Sequence, residues 1–214
     1  MDKIESRAFC FEVRAEEDAK HGHCLTGTPV VYDQRTNLGW YDEIIARGAL
    51  DKTDLKDVRF LIGHDVSMVP LARSRNNNEN STMQMVAGDE GMRIRVDLDI
   101  ENNSDSKKLY SATKRGDISG MSFAFVVDSD SWDDIDSEHP TRTIRSIKRV
   151  LEVSAVAFPA YEGTTLEARS EGSAPDGARA SLESARAAAQ KAADAERRAA
   201  AIKSLEKWRR KDER

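Results

Sequence analysis

The chain has 214 residues, 39% hydrophobic and 33% charged, with a formal net charge of −5. That length suits one substantial domain plus an appendage. The acidic balance argues against nucleic acid as the main partner, and no apolar run approaches the roughly 20 residues needed to cross a bilayer. Two cysteines, Cys10 and Cys24, make no disulfide framework, and the charged N-terminus lacks the apolar core of a signal peptide. A soluble, reduced, intracellular protein without membrane contacts is expected.

Phe9, Phe11 and Val13 alternate with polar residues and predict a first strand. Val58, Phe60 and Ile62 predict a short one that ends in Gly63-His64-Asp65. Met83 and Met85, the turn Gly88-Asp89-Glu90-Gly91, and the alternating Met92, Ile94, Val96, Leu98 and Ile100 predict a hairpin. A helix is expected from Ser104 to Arg115, with Ser104 or Asp105 capping its start and Gly116 closing it. Strands at 121–127 and 143–158, the second bent or broken, flank the acidic loop DSDSWDDIDSEHPTR. Together these predict an antiparallel sheet closed or nearly closed on itself, with a few helices outside.

Composition changes near 162–177, where small and polar residues read as a linker. From Pro175 onward there are 11 Lys/Arg against 7 Asp/Glu, so the acidic excess lies in the body. From Ser181 the chain holds no Gly or Pro and is rich in helix formers, with Ser181 and Ser184 as candidate N-caps. Ala185, Ala188, Ala192, Ala195, Ala199 and Ile202 recur at helical spacing. That stripe suits either a partner helix or a solvated one, since alanine buries little area.

Three residues stand out for chemistry. In GDISGMSFAFVV, Phe123, Phe125 and Val127 point one way from a strand, and Ser122, Ala124 and Val126 the other. The small residues on that second face leave room for an extended substrate, although a strand serine is ordinarily structural. The sequence is also not the G-x-S-x-G elbow of another hydrolase class. His64, displayed by a glycine at a strand end, is placed either to act as a base or to bond with Asp65. Glu152 interrupts an apolar run, which is costly unless the carboxylate is paired. A histidine would satisfy it and fix the ring tautomer; an outward ion pair with Lys148 or Arg149 is the alternative. His21, His23 and Cys24 resemble a metal cluster in composition but lack an evident fourth ligand, and His139 falls in the acidic loop.

Four segments, in order and at the right spacing, resemble the prohead protease family of tailed bacteriophages, whose fold is similar to the herpesvirus assemblin proteases. They are LTGTPVVYDQRTNLGWYDEIIARGAL at 25–50, FLIGHD at 60–65, GDISGMSFAF at 116–125 and TIRSIKRVLEVSAVAFPAYEGT at 143–164. The last, with its Glu-Val-Ser and Pro-Ala, is the most specific, and the resemblance spans residues 5–165. It implies a mainly β, α+β fold: an antiparallel, barrel-like assemblin-type protease domain over 1–165, a flexible linker at 166–180 and a helical tail at 181–214. It also implies a serine endopeptidase with His64 as base, Ser122 as nucleophile and Glu152 as the acidic third member, needing no cofactor or metal. Gly63 departs from the asparagine common before that histidine. For oxyanion donors, backbone amides near Ser122 and the side chains of Arg142, Arg145 and Arg149 are candidates. The implied substrates and partners are scaffold, the scaffolding segment of the major capsid protein and the enzyme itself, inside the procapsid in the host cytoplasm, with self-association also open. Two other readings remain: a non-enzymatic capsid scaffold protein derived from such a protease, and a small-molecule esterase using the same three residues.

Overall fold

The computed structural model describes residues 4–9, 13–18, 22–157 and 174–212. Cys10, Phe11, His21 and Pro159-Ala160 lie outside these residues, as does the expected linker up to 173. The N-terminal part holds β1 (Ile4–Phe9), β2 (Arg14–Asp18), β3 (Gly22–Val31), β4 (Thr36–Asn37), β5 (Asp42–Ile45), β6 (Asp57–Ile62) and β7 (Ala72–Arg75). There follow β8 (Met83–Gly88), β9 (Gly91–Asp97), α1 (Ser104–Arg115), β10 (Gly120–Asp133), β11 (Thr141–Val156) and α2 (Ala174–Asp212).

The strands form two sheets, not one closed barrel. The larger runs β1-β10-β11-β5-β4, with β6 also on β11 and β7 on β6; the smaller runs β2-β3-β9-β8. Nor is the larger sheet purely antiparallel as expected: β11 pairs in parallel with β5 near its start and with β6 near its end. Long excursions separate β5 and β6 from β11 in sequence, so no tight hairpin forces the antiparallel sense. Both sheets feed one apolar core, with Leu25, Met83, Met92 and Val96 from the smaller and Phe60, Phe123, Phe125 and Val153 from the larger.

The β8–β9 hairpin forms as the alternation predicts, with Met83, Met85, Met92, Ile94 and Val96 buried. Gly91 is required there: at φ 146, an added Cβ would lie 2.0 Å from the Val30 carbonyl oxygen. Helix α1 has the expected span and closes on Gly116 at φ 84, but its cap is Asn103. The Asn103 side chain accepts from the backbone N–H of Asp105 and Ser106 at 2.9 and 3.1 Å, bonds worth about 1 kcal/mol of helix stability. The acidic loop is shorter than expected. β10 and β11 continue through most of it and leave only 134–140 between them, because Asp130 on one strand meets Arg142 on the other at 2.6 Å. The expected bend appears as register shifts along this ladder between Ala124 and Asp130.

Helix α2 begins seven residues before Ser181, which is therefore not its cap. The Ser181 hydroxyl instead donates to Asp130 at 2.8 Å and accepts from Trp132 Nε1 at 3.0 Å. Ala178 and Leu182 are buried beside it, and Arg186 donates to the Ile135 carbonyl. Beyond these turns Ala188, Ala192, Ala195, Ala199 and Ile202 face solvent.

Candidate active site

Ser122 and Ala124 on β10 pair across the ladder with Ser154 and Glu152 on β11. Directly opposed residues project to the same side, so these four share one face while Phe123 and Val153 face the core. On the other edge of β11, β6 runs with Arg59 against Glu152 and Leu61 against Ser154. Just past β6 the chain turns through two consecutive left-handed residues, Gly63 at φ 60 and His64 at φ 62. The Gly63 N–H donates to the Ala155 carbonyl at 3.0 Å and holds that turn on β11. Asparagine is also enriched in the left-handed region, so glycine in its place keeps the same backbone.

The turn delivers His64 to Glu152. His64 Nδ1 and Glu152 Oε1 are 2.5 Å apart, and Glu152 is buried while the imidazole is about one-third exposed. Of the two readings of each residue, the structure therefore selects the pair with each other. Asp65 is engaged elsewhere: its Oδ1 accepts from the Ser67 hydroxyl and N–H, which hold its carboxyl below the usual range. With Nδ1–H donated to a carboxylate, the His64 ring is fixed in the tautomer that leaves Nε2 free to accept a proton.

Ser154 completes the arrangement and was not singled out from the sequence. Its hydroxyl donates to Glu152 Oε2 at 2.5 Å and accepts from the His64 backbone N–H at 3.1 Å. The signal was its spacing, two residues beyond Glu152 and so on the same face of one strand.

Ser122 lies on that face too, opposite Ser154, but it is fully buried and its hydroxyl donates to the Arg7 carbonyl at 2.8 Å, not to His64. The open, small-residue face expected around it is closed. β10 is an interior strand with β1 on one edge and β11 on the other, so it offers no free edge to an added strand. Ala8 of β1 pairs directly with Ser122.

Arg7 is held by a buried ionic cluster. Its guanidinium donates to Glu43 through Nε and at 2.7 Å through Nη2, and to Glu5 at 2.6 Å. Arg142 donates to Glu5 at 2.6 and 3.0 Å, to Glu43 at 3.2 Å and to Asp130 at 2.6 Å. Burial works against ionising Glu5, yet the hydrogen bond and charge of Arg142 and the charge of Arg7 prevail and lower its pKa. Burial pushes the Tyr41 phenol, 3.3 Å from Arg7 Nη2, up to about 12. Arg142 is thus committed to this cluster and drops out as an oxyanion donor. Arg145 is occupied as well, donating to Ser131 at 3.0 Å.

Among the described residues no cluster of His, Cys, Asp and Glu suits a metal ion. Cys24 is buried, His23 packs edge-on against Tyr110, and His139 Nε2 lies 2.8 Å from Asp42.

No curated protein sequence matches the chain. Among solved structures, the capsid assembly protease of bacteriophage T4 superposes with a TM-score of 0.42 and 11% identity, covering 72% of this chain and 97% of that one. The sequence model of the family described as caudovirus prohead serine protease matches residues 9–176, a stretch that includes His64, Ser122, Glu152 and Ser154. The chain belongs to the caudovirus prohead serine protease family.

Proposed function

We propose that this protein is a serine endopeptidase of phage capsid maturation in which Ser122 is the nucleophile, His64 its general base and Glu152 the group that orients and charge-balances His64. The observation that carries the reading is the His64–Glu152 pair at 2.5 Å, on the face of the β10–β11 ladder that also bears Ser122. In the reaction the Ser122 hydroxyl exchanges the Arg7 carbonyl for His64 Nε2, which takes its proton as oxygen attacks a peptide carbonyl. His64 then gives that proton to the leaving amine, and water hydrolyses the resulting acyl ester by the same route in reverse. Glu152 stabilises the imidazolium without being protonated. With Arg142 and Arg145 engaged, Arg149 and backbone amides near Ser122 remain the proposed oxyanion donors.

The substrates proposed are scaffold, the scaffolding segment of the major capsid protein, and the enzyme itself, within the procapsid. Self-cleavage is proposed near 163–180, and the start of α2 at Ala174 favours the N-terminal part of that stretch, since helical turns would have to unwind to lie extended in a protease. Co-expression with the major capsid protein of the same phage, comparing wild type with Ser122→Ala by gel and intact mass, tests the reading. Trimming of capsid protein or of the chain itself by wild type alone is expected. Equal trimming by both overturns Ser122 as nucleophile.

A further inference from the structure

We infer that Ser154 is a positioning residue of this site, clamping the backbone of His64 and the carboxylate of Glu152 in one closed hydrogen-bonded ring. The inference rests on the proposed roles of His64 and Glu152. The ring runs from the His64 N–H to Ser154 Oγ at 3.1 Å and from that hydroxyl to Glu152 Oε2 at 2.5 Å. It returns through Glu152 Oε1 to His64 Nδ1, also at 2.5 Å.

Donor and acceptor roles around this ring are fixed. A backbone N–H only donates, so Ser154 Oγ accepts from it, and an ionised carboxylate only accepts, so the hydroxyl proton points at Oε2. Each bond thereby sets the direction of the next. Ser154 is fully buried, so no water competes for its hydroxyl.

Two otherwise unfavourable states are held by it. His64 is not glycine, yet it sits at φ 62, a conformation unfavourable for an L-residue unless its surroundings impose it. Glu152 has several side-chain torsions, and the bond at Oε2 joins the imidazole at Oε1 in fixing its rotamer. One hydroxyl addresses both by tying the residue that displays the base to the residue that orients it. Alanine at this position would leave the His64 N–H and Oε2 without their shared partner and free the imidazole to drift.

The test uses full-length protein and a fluorophosphonate probe, which labels an activated serine without needing the natural substrate. The rate of Ser122 labelling is compared with the NMR signal of the exchange-protected His64 Nδ1 proton. Ser154→Ala is expected to label about 10- to 100-fold more slowly, the cost of a misplaced orienting group, and to lose the Nδ1 signal. Ser154→Thr, which keeps the hydroxyl, is expected to recover most of the rate and the signal. Labelling of Ser154→Ala at the wild-type rate, or an equal defect in a folded Ser154→Thr, overturns the inference. Should Ser154→Ala fail to fold, Ser154→Cys decides: its thiol is a poor donor, so slow labelling supports the clamp and wild-type labelling overturns it. If wild type is not labelled at all, it is the nucleophile reading that fails. The Nδ1 signal still judges the clamp, persisting in Ser122→Ala and vanishing in Ser154→Ala if the clamp is real.

Discussion

Arg142→Met probes the cluster that anchors the strand covering Ser122. Arg142 is 2% exposed and donates four hydrogen bonds, two to Glu5 and one each to Glu43 and Asp130. Two cations there face three carboxylates, and methionine leaves one cation against three. Breaking a buried ion pair from one side costs about 3–5 kcal/mol, because the remaining charges stay desolvated. For a domain of this size each kcal/mol moves Tm by about 2–4 °C, so a fall of about 6–20 °C is expected in calorimetry at neutral pH. Glu5→Gln in the same background removes one of the stranded charges. The double variant should therefore lose less than the two single losses added together, with coupling of at least about 1 kcal/mol. Amide exchange of β1 should rise in Arg142→Met while that of β9 holds, since β9 lies in the other sheet. A Tm loss under about 2 °C, or strict additivity, would refute the claim that Arg142 balances buried carboxylates.

Four further outcomes are expected. Glu152→Gln keeps hydrogen-bonding atoms beside His64 but removes the charge facing a forming imidazolium, so Ser122 labelling should fall about 10²- to 10⁴-fold with little change in Tm. Ser122→Ala should remain folded and show no covalent labelling. The pKa of Glu5 is lowered in the folded state, so its contribution to stability is complete above 4.5 and lost as pH falls through its lower folded value. Urea unfolding below about pH 4.5 should accordingly show a shallower acid decline in Glu5→Gln than in wild type. Tyr41 is shifted upward, so its contribution is complete below 10 and lost towards about 12; Tyr41→Phe should flatten the alkaline decline in stability across that window.

What the sequence revealed was what is local. The period of two across residues 83–96 and the capped stretch at 104–116 declared their elements because each is closed by its own neighbours. The parallel pairing of β11 with β5 and β6 was hidden, since nothing in residues 42–62 says which distant strand they will join. At the site, His64 and Glu152 each carried two readings, and only the fold could choose between them. Ser154 lay within the Glu-Val-Ser of the most specific segment, but nothing in that motif says its hydroxyl would meet both His64 and Glu152. Burial of Ser122 was illegible for a specific reason: the strand that covers it carries the ionisable Glu5 and Arg7, whose burial, at 3% and 4% exposed, depends on partners distant in sequence.

Arg7 joins the two faces of the sheet. Its side chain, in the Glu5–Glu43–Arg142 cluster, lies on the face of Phe123 and Phe125, with the guanidinium 5.6 Å from the Phe125 ring. Its carbonyl accepts the Ser122 hydroxyl. From α2 the contacts run without a break: Ser181 to Asp130, Asp130 to Arg142, Arg142 to Glu5 and Glu43, and these to Arg7. Every link is a hydrogen bond with at least one ionised partner, and such bonds depend steeply on distance and direction, unlike apolar contact. A rearrangement of the docked turns of α2 would therefore be felt in the cluster as a change in charge balance before it disturbed the apolar core. Releasing the Ser122 hydroxyl requires the Arg7 carbonyl to move away, whereas displacing Phe123 and Phe125 would open the core itself. The ionic cluster, not the apolar packing beside it, is thus the easier place for this fold to yield, and it is the cluster to which both the covering strand and the helix are fastened.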